Sequence, residues 1–177
     1  MVPQAGRGDD AAAMGYAAMT ATRAIRELVA FDLFDLLQQG RAKYLQLKGN
    51  RRALWDLAKP FLRSPVQKTL WTFDTGILEL PGAVVAGEDA LARLTLLNEP
   101  GQSVVAVASS AVALAGQRGV FFEPKAVAGG VAVQVWRYEP AMQIKTQGVD
   151  PLSLWLSLQG SSDDRIQMAL DELEEQF

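Results

Sequence analysis

A chain of 177 residues that is 49% hydrophobic is long enough for one ordinary domain, or for a small one joined to a medium one, and too apolar to be disordered throughout. It contains no Cys and no His, which excludes thiol nucleophiles, disulfides, serine-histidine triads and nearly every zinc site, so catalysis would fall to carboxylates, Lys, Arg, Tyr, Ser or Thr. The net charge of -3 hides an asymmetry: residues 1–70 hold 11 Lys/Arg against 6 Asp/Glu, a net of +5, and residues 71–177 hold 6 against 14, a net of -8.

Residues 1–13, opening MVPQAGRGDD, are small, polar and without periodicity, the pattern of a disordered segment. Gly15 to Asn50 then reads as a basic helix followed by a glycine-turned hairpin. On a helical wheel Ala18, Ala21, Ala24, Ile25 and Leu28 gather into an apolar stripe, while Tyr16, Met19, Thr20, Arg23 and Arg26 face outward. Thr20 and Thr22 are short hydroxyls near the start of the helix, and the arginines follow one and two turns later. That order suits phosphate contacts and base edges in the major groove, because Arg pairs bidentately with guanine. Arg41, Lys43 and Lys48 around Gly40 would make the hairpin a wing that grips the backbone.

Arg51 to Leu62 has helical spacing through Leu54, Trp55, Leu57, Ala58 and Phe61, with Pro60 expected to break or kink it and Ser64-Pro65 to end it. It reads as a connector over 51–66. Gln67 to Thr75 alternates like a strand, and Gly76 to Gly82 supplies a turn or a short strand. Gly87 to Leu97 is expected to be a helix with Ala90, Leu91, Leu94 and Leu97 on one face and Glu88 and Asp89 at its positive end. After a turn over Asn98 to Gln102 come a buried strand (Ser103 to Ala108), a short helix (Ser110 to Ala115) and a strand (Val131 to Tyr138). Asp150-Pro151 opens a helix as cap and first position, and a last helix spans Asp163 to Phe177. The fold class expected is α+β or mixed α/β: a partial winged helix-turn-helix over 14–50, then a small α/β domain over 67–177 ending in two helices.

The helix and hairpin resemble the second half of the winged helix of bacterial regulators similar to the MarR group, in which a Gly-Tyr-Ser turn opens the recognition helix. Here the turn is Gly15-Tyr16-Ala17, which lacks the capping hydroxyl, and Phe31-Asp32 stands where such proteins turn with Gly. A complete winged helix has two helices before its recognition helix, and AAAM before Gly15 can supply only the end of the second. The rest is similar to a poorly characterised set of bacterial helix-turn-helix regulators through RALWDLAKPFLRSPVQK, AGEDALARLTLL, VWRYEP, VDPLSLWLSL and DDRIQMALDELEEQF. The resemblance implies DNA-binding transcriptional regulation and, one step further, an antitoxin-type regulator encoded beside a nucleotidyltransferase-like toxin.

Other chemistries fit less well. GAVVAG at 82–87 lacks the Lys-Ser/Thr of a P-loop, and GQRG at 116–119 is a turn. Glu88, Asp89 and Glu123 with Lys125 could compose a metal-dependent nuclease, but a helix start already explains two of them, and Gln134 stands where a ligand would be wanted. Trp136-Arg137-Tyr138-Glu139-Pro140 could stack on bases, or more simply close a strand with its Trp in the core. The acidic run Asp171, Glu172, Glu174, Glu175 is a solvated helix face or a surface for a basic partner, and Trp155 is core or part of a dimer seam. The apolar run from Val104 to Ala115 is too short to span a bilayer, and no signal pattern opens the chain. The expectation is a cytoplasmic, homodimeric regulator of double-stranded DNA, with no enzyme activity, cofactor, metal or membrane contact. Its DNA-binding residues would be Tyr16, Thr20, Thr22, Arg23, Arg26, Arg41 and Lys43. The alternative is an antitoxin-like or adaptor module whose acidic half binds a toxin-like protein.

Overall fold

Glycine, proline and short hydroxylated residues punctuate this chain between its apolar stretches, and the computed structural model describes residues 17–40, 42–98, 102–140 and 148–177. The expected disorder of 1–13, the candidate positions Tyr16 and Arg41, and positions 99–101 of the expected turn lie outside the described residues. The chain divides into two compact units, with the boundary between Phe61 and Leu62.

In the first unit the apolar stripe forms α1 (Ala18–Ala30). Ala21, Ile25, Leu28 and Val29 are half-buried along it, and its other described positions are exposed. Strands β1 (Phe34–Gln39) and β2 (Ala42–Leu47) pair antiparallel with Gln39 opposite Ala42. The two-residue loop between them starts at Gly40 with φ 63°, the left-handed start that a tight hairpin of matching twist requires. Phe34 faces Leu47 and Leu36 faces Leu45 on one side of this ribbon, and Leu37 faces Tyr44 on the other. Helix α2 (Arg51–Ala58) is capped by the Asn50 side chain, which accepts from the Ala53 N–H at 2.8 Å. Its ladder cannot continue through Pro60, which has no N–H, so it tightens into a 3-10 turn over Lys59–Phe61. The sequence suggests a connector here; in the structure this helix belongs to the first unit. Trp55 is the one buried residue among those described in this unit, with the Lys59 ammonium 5.8 Å from its ring centre.

The second unit begins with β3 (Val66–Thr72), a 3-10 turn (Thr75–Glu79) and a two-residue strand β4 (Val84–Val85). Helix α3 (Gly87–Leu94), β5 (Val104–Ala108), α4 (Ser109–Gln117) and β6 (Val131–Trp136) follow. Helices α5 (Pro151–Leu158) and α6 (Asp164–Glu174) complete it. The sheet order is β3-β6-β5-β4, with β6 antiparallel to β3 and parallel to β5, and β5 antiparallel to β4. A parallel neighbour cannot be reached by a tight turn, and α4 with the loop after it makes the crossover.

The valines of β5 and β6 explain why these strands are continuous apolar runs. Val105, Val107, Val131 and Val133 pack with Ile77, Leu80, Ala111 and Ala115 on one side of the sheet. Ala106, Ala132 and Trp136, one position out of phase, are buried as well. Helices α3, α5 and α6 pack on one another, and Leu91, Leu154, Leu170 and Leu173 are all but sealed from solvent. The whole is a mixed α+β fold.

Local chemistry accounts for the differences from the sequence-based expectation. The strand expected to reach Thr75 ends at Thr72, because the Asp74 carboxylate accepts from Gly76 N–H at 2.9 Å and starts the 3-10 turn. Helix α3 stops at Leu94 rather than Leu97, where Thr95 turns extended and its hydroxyl donates to the Leu91 carbonyl at 2.8 Å. Strand β4 sits in GAVVAG and is too short to carry a period. Gly87 just after it has φ 59°, and a β-carbon there would lie 2.8 Å from Val104 Cγ1. Leu154→Ala in the helical layer is expected to cost about 2–5 kcal/mol, and Met168→Ala on the exposed side of α6 less than about 0.5, both read from urea unfolding.

Candidate nucleic-acid interface

Helix α1 opens on Ala17, which is extended at φ -63° and ψ 144° and has no side-chain acceptor for the first-turn N–H groups. No acidic residue lies in that turn either. Among the described residues no side chain compensates the positive end of the helix dipole, an end that favours an anion. Met19, Arg23 and Arg26 fall on one face at i, i+4 and i+7, opposite the half-buried stripe, with Thr20 beside them, and all four are exposed. Arg23 Nε is 4.0 Å from Glu27 Oε1 across one turn of exposed helix, a loose pair worth about 0.5 kcal/mol or less. Arg26 has no ion pair among the described residues. The Thr22 hydroxyl donates to the Ala18 carbonyl at 2.8 Å and so is turned back onto its own helix.

The hairpin follows with less charge to offer than its sequence suggests. Lys43 is in β2 opposite Gln38; its side chain lies outside the described residues. Lys48 does not stand around Gly40. It follows the end of β2 at the base of the hairpin, with its Nζ 2.5 Å from Asp32 Oδ1 and 3.2 Å from Asp35 Oδ1. Hydrogen bonds from the ammonium to these two carboxylates hold its pKa above the ordinary 10.5. Its charge is balanced locally, which corrects the reading of Lys48 as a wing cation. The signal that could have shown this is in the sequence, since Asp32 and Asp35 flank the start of the strand that must pair with the one Lys48 follows.

Of the expected site residues, α1 thus brings Thr20, Arg23 and Arg26 onto one exposed surface, while Thr22, also exposed, has its hydroxyl engaged with its own helix. In the second unit, Trp136 is buried and donates its Nε1–H to Gln134 Oε1 at 3.1 Å, so it belongs to the core. Tyr138 meets Trp136 edge-on at 5.7 Å, and its hydroxyl is 2.6 Å from Ser153 Oγ. The Asp89 carboxylate accepts from Val104 N–H at 3.2 Å, a structural task, and Glu123 is bridged to Trp71 by backbone hydrogen bonds. No cluster of three or more acidic residues placed to hold a metal occurs among the described residues.

The acidic C-terminal run divides. Glu172 accepts from Leu96 N–H at 3.2 Å and Glu174 is buried, whereas Asp171 and Glu175 share an exposed face of α6 with Asp164 and Met168. Asp163 caps that helix, and the Arg165 guanidinium at 2.7 Å, with the Arg165 N–H, holds its carboxyl below the usual range.

No protein-family model, no characterised protein and no solved structure matches this chain. Its class is accordingly that of its fold, mixed α+β. No helix among the described residues is long and apolar enough to cross a membrane.

Two outcomes follow from this geometry. Ala17→Ser supplies the missing acceptor and is expected to stabilise α1 by about 1 kcal/mol, seen as slower amide exchange in its first turn. Because the folded pKa of Lys48 is raised, its ion pairing is complete below 10.5 and is lost as pH rises through the folded value. The Lys48 side-chain NMR titration should therefore have its midpoint above 10.5, and Asp32→Asn with Asp35→Asn should return it there.

Proposed function

We propose that the first unit binds double-stranded DNA through α1 and the hairpin, and that the protein is a transcriptional regulator of the winged-helix, MarR-like kind, cytoplasmic and homodimeric. One observation carries this reading: α1 presents Thr20, Arg23 and Arg26 on a single exposed face next to a helix N-terminus that, among the described residues, no side chain caps. Phosphate oxygens favour such an end, and a helix is the element that enters the major groove. The net +5 of residues 1–70 supports the same end of the chain as the electrostatic footprint. Within the hairpin, Arg41 and Lys43 are the cations assigned to phosphate.

Duplex binding should weaken steeply with salt, and Arg23→Ala with Arg26→Ala should lower the slope of log affinity against log salt by about 2 and flatten discrimination between sequences. The measurement is fluorescence anisotropy across a salt series. Binding by the double variant that matches the wild type would remove α1 from the interface.

The exposed face of α6 favours a second reading. Asp164, Asp171 and Glu175 lie in line with Met168, which is 73% exposed, and an acidic stripe with an apolar centre suits a basic protein partner of an antitoxin-like or adaptor module. Affinity purification from the native host is expected to recover a stoichiometric basic protein, and Asp171→Lys with Glu175→Lys to lose it. Recovery of the chain alone would end this reading.

A further inference from the structure

We propose that Asp32, Asp35 and Lys48 form a clasp that sets the angle of the hairpin against α1, so that these three are positioning residues for duplex DNA rather than contacts to it. The inference rests on the DNA reading above and assigns the joint of that same site.

Asp32 carries it. Among the described residues it is the one non-glycine position with positive φ, at 58°. An L-residue in the left-handed region is held there at a cost, and such outliers persist where surrounding contacts over-determine them. Asp32 sits in the three-residue link, 31–33, between α1 and β1. Its N–H donates to the Val29 carbonyl at 3.0 Å and closes the helix, as the Phe31 N–H does to Glu27. Its carboxylate takes the Lys48 ammonium at 2.5 Å, and the same ammonium reaches Asp35 at 3.2 Å in β1. The Lys48 N–H donates to the Leu33 carbonyl at 3.0 Å, extending the hairpin ladder past its last pair, Phe34 with Leu47. Lys48 therefore ties the end of the helix, the first strand and the last residue of the second strand at one point. With so short a link, rotation about the Asp32 backbone swings the whole hairpin relative to α1.

The charges agree with a joint rather than a contact. Two carboxylates against one ammonium leave the base of the hairpin net negative, which repels phosphate. Exposed cations of the module lie elsewhere, on the α1 face of Arg26 and of Arg23, which is only loosely paired with Glu27.

The test uses the full chain and a short mixed-sequence DNA duplex, with affinity measured across a salt series and residual dipolar couplings measured for α1 and the hairpin. Exposed ion pairs are weak, so Lys48→Met is expected to lower affinity only about threefold to fivefold. The couplings between helix and hairpin should shift, and the salt slope should stay at the wild-type value because no phosphate contact is lost. Lys48→Arg, which keeps the charge and the reach, should restore both. A slope reduced by about 0.9 with unchanged couplings would make Lys48 a phosphate contact and overturn the clasp. Unchanged affinity together with unchanged couplings would overturn it too. If Lys48→Met unfolds the hairpin, Asp35→Asn leaves the Asp32 contact in place and carries the same comparison. Should the wild-type chain fail to bind duplex, the DNA role falls with the proposed function, and the couplings alone decide whether the joint is clasped.

Discussion

Burial of β5 and β6 on both faces is the constraint on which the second unit depends. Two neighbouring strands that run parallel cannot be joined by a tight turn, so the chain between β5 and β6 crosses over and brings α4 onto the sheet. One face takes the 3-10 turn after β3 together with α4. Val105, Val107 and Val133 are then sealed against Ala111 and Ala115, small residues that let the helix approach closely. Ala106 and Ala132 do the same from the other face of the sheet. A larger side chain at any of these alanines would push a layer away from the strands.

The first unit is held by different physics. Its helix stripe and its hairpin are half-buried rather than sealed, and among its described residues Trp55 alone reaches core-like burial. Short-range devices define its shape instead: Gly40 at the hairpin turn, Asn50 at the start of α2, the 3-10 turn at Pro60, and the Asp32-Lys48 contact at the joint. Phe31 and Phe61 add a ring contact at 6.0 Å, although both remain largely exposed. A unit built this way can offer one clean helix face to a ligand, because little of α1 is committed to packing.

Most elements were legible because their signals are local. The helix of the stripe, the Gly40 turn, the Asp150-Pro151 cap and the β-branched run of β6 each carry their structure within a few residues and form as expected, although of the stripe Ala21, Ile25 and Leu28 are half-buried while Ala18 and Ala24 stay exposed. Element ends were less legible, since Thr95 and Asp74 stop α3 and start a 3-10 turn through single side-chain hydrogen bonds that compete with an otherwise good period. Strand β4 exists because β5 offers it an edge, and two valines carry no signal of that. In the candidate site, exposure of Arg23 and Arg26 followed from the wheel. The bond of the Thr22 hydroxyl to its own helix did not, because a threonine hydroxyl back-bonds or reaches out with the same sequence spacing.

By itself the sequence determined which stretches are helical or extended, where most of them begin, and that positive charge concentrates in the first 70 residues. Periodicity, capping residues and composition are properties of neighbours along the chain. Only the tertiary structure decided the sheet order β3-β6-β5-β4 and the parallel pairing of β5 with β6, because strand pairing depends on which distant segments bury the same apolar surface. It also decided the ion-pair partners of Lys48. Two aspartates 16 and 13 positions away are remote in the chain and within hydrogen-bonding distance once the hairpin closes, and that proximity turns an expected wing cation into a locally paired one.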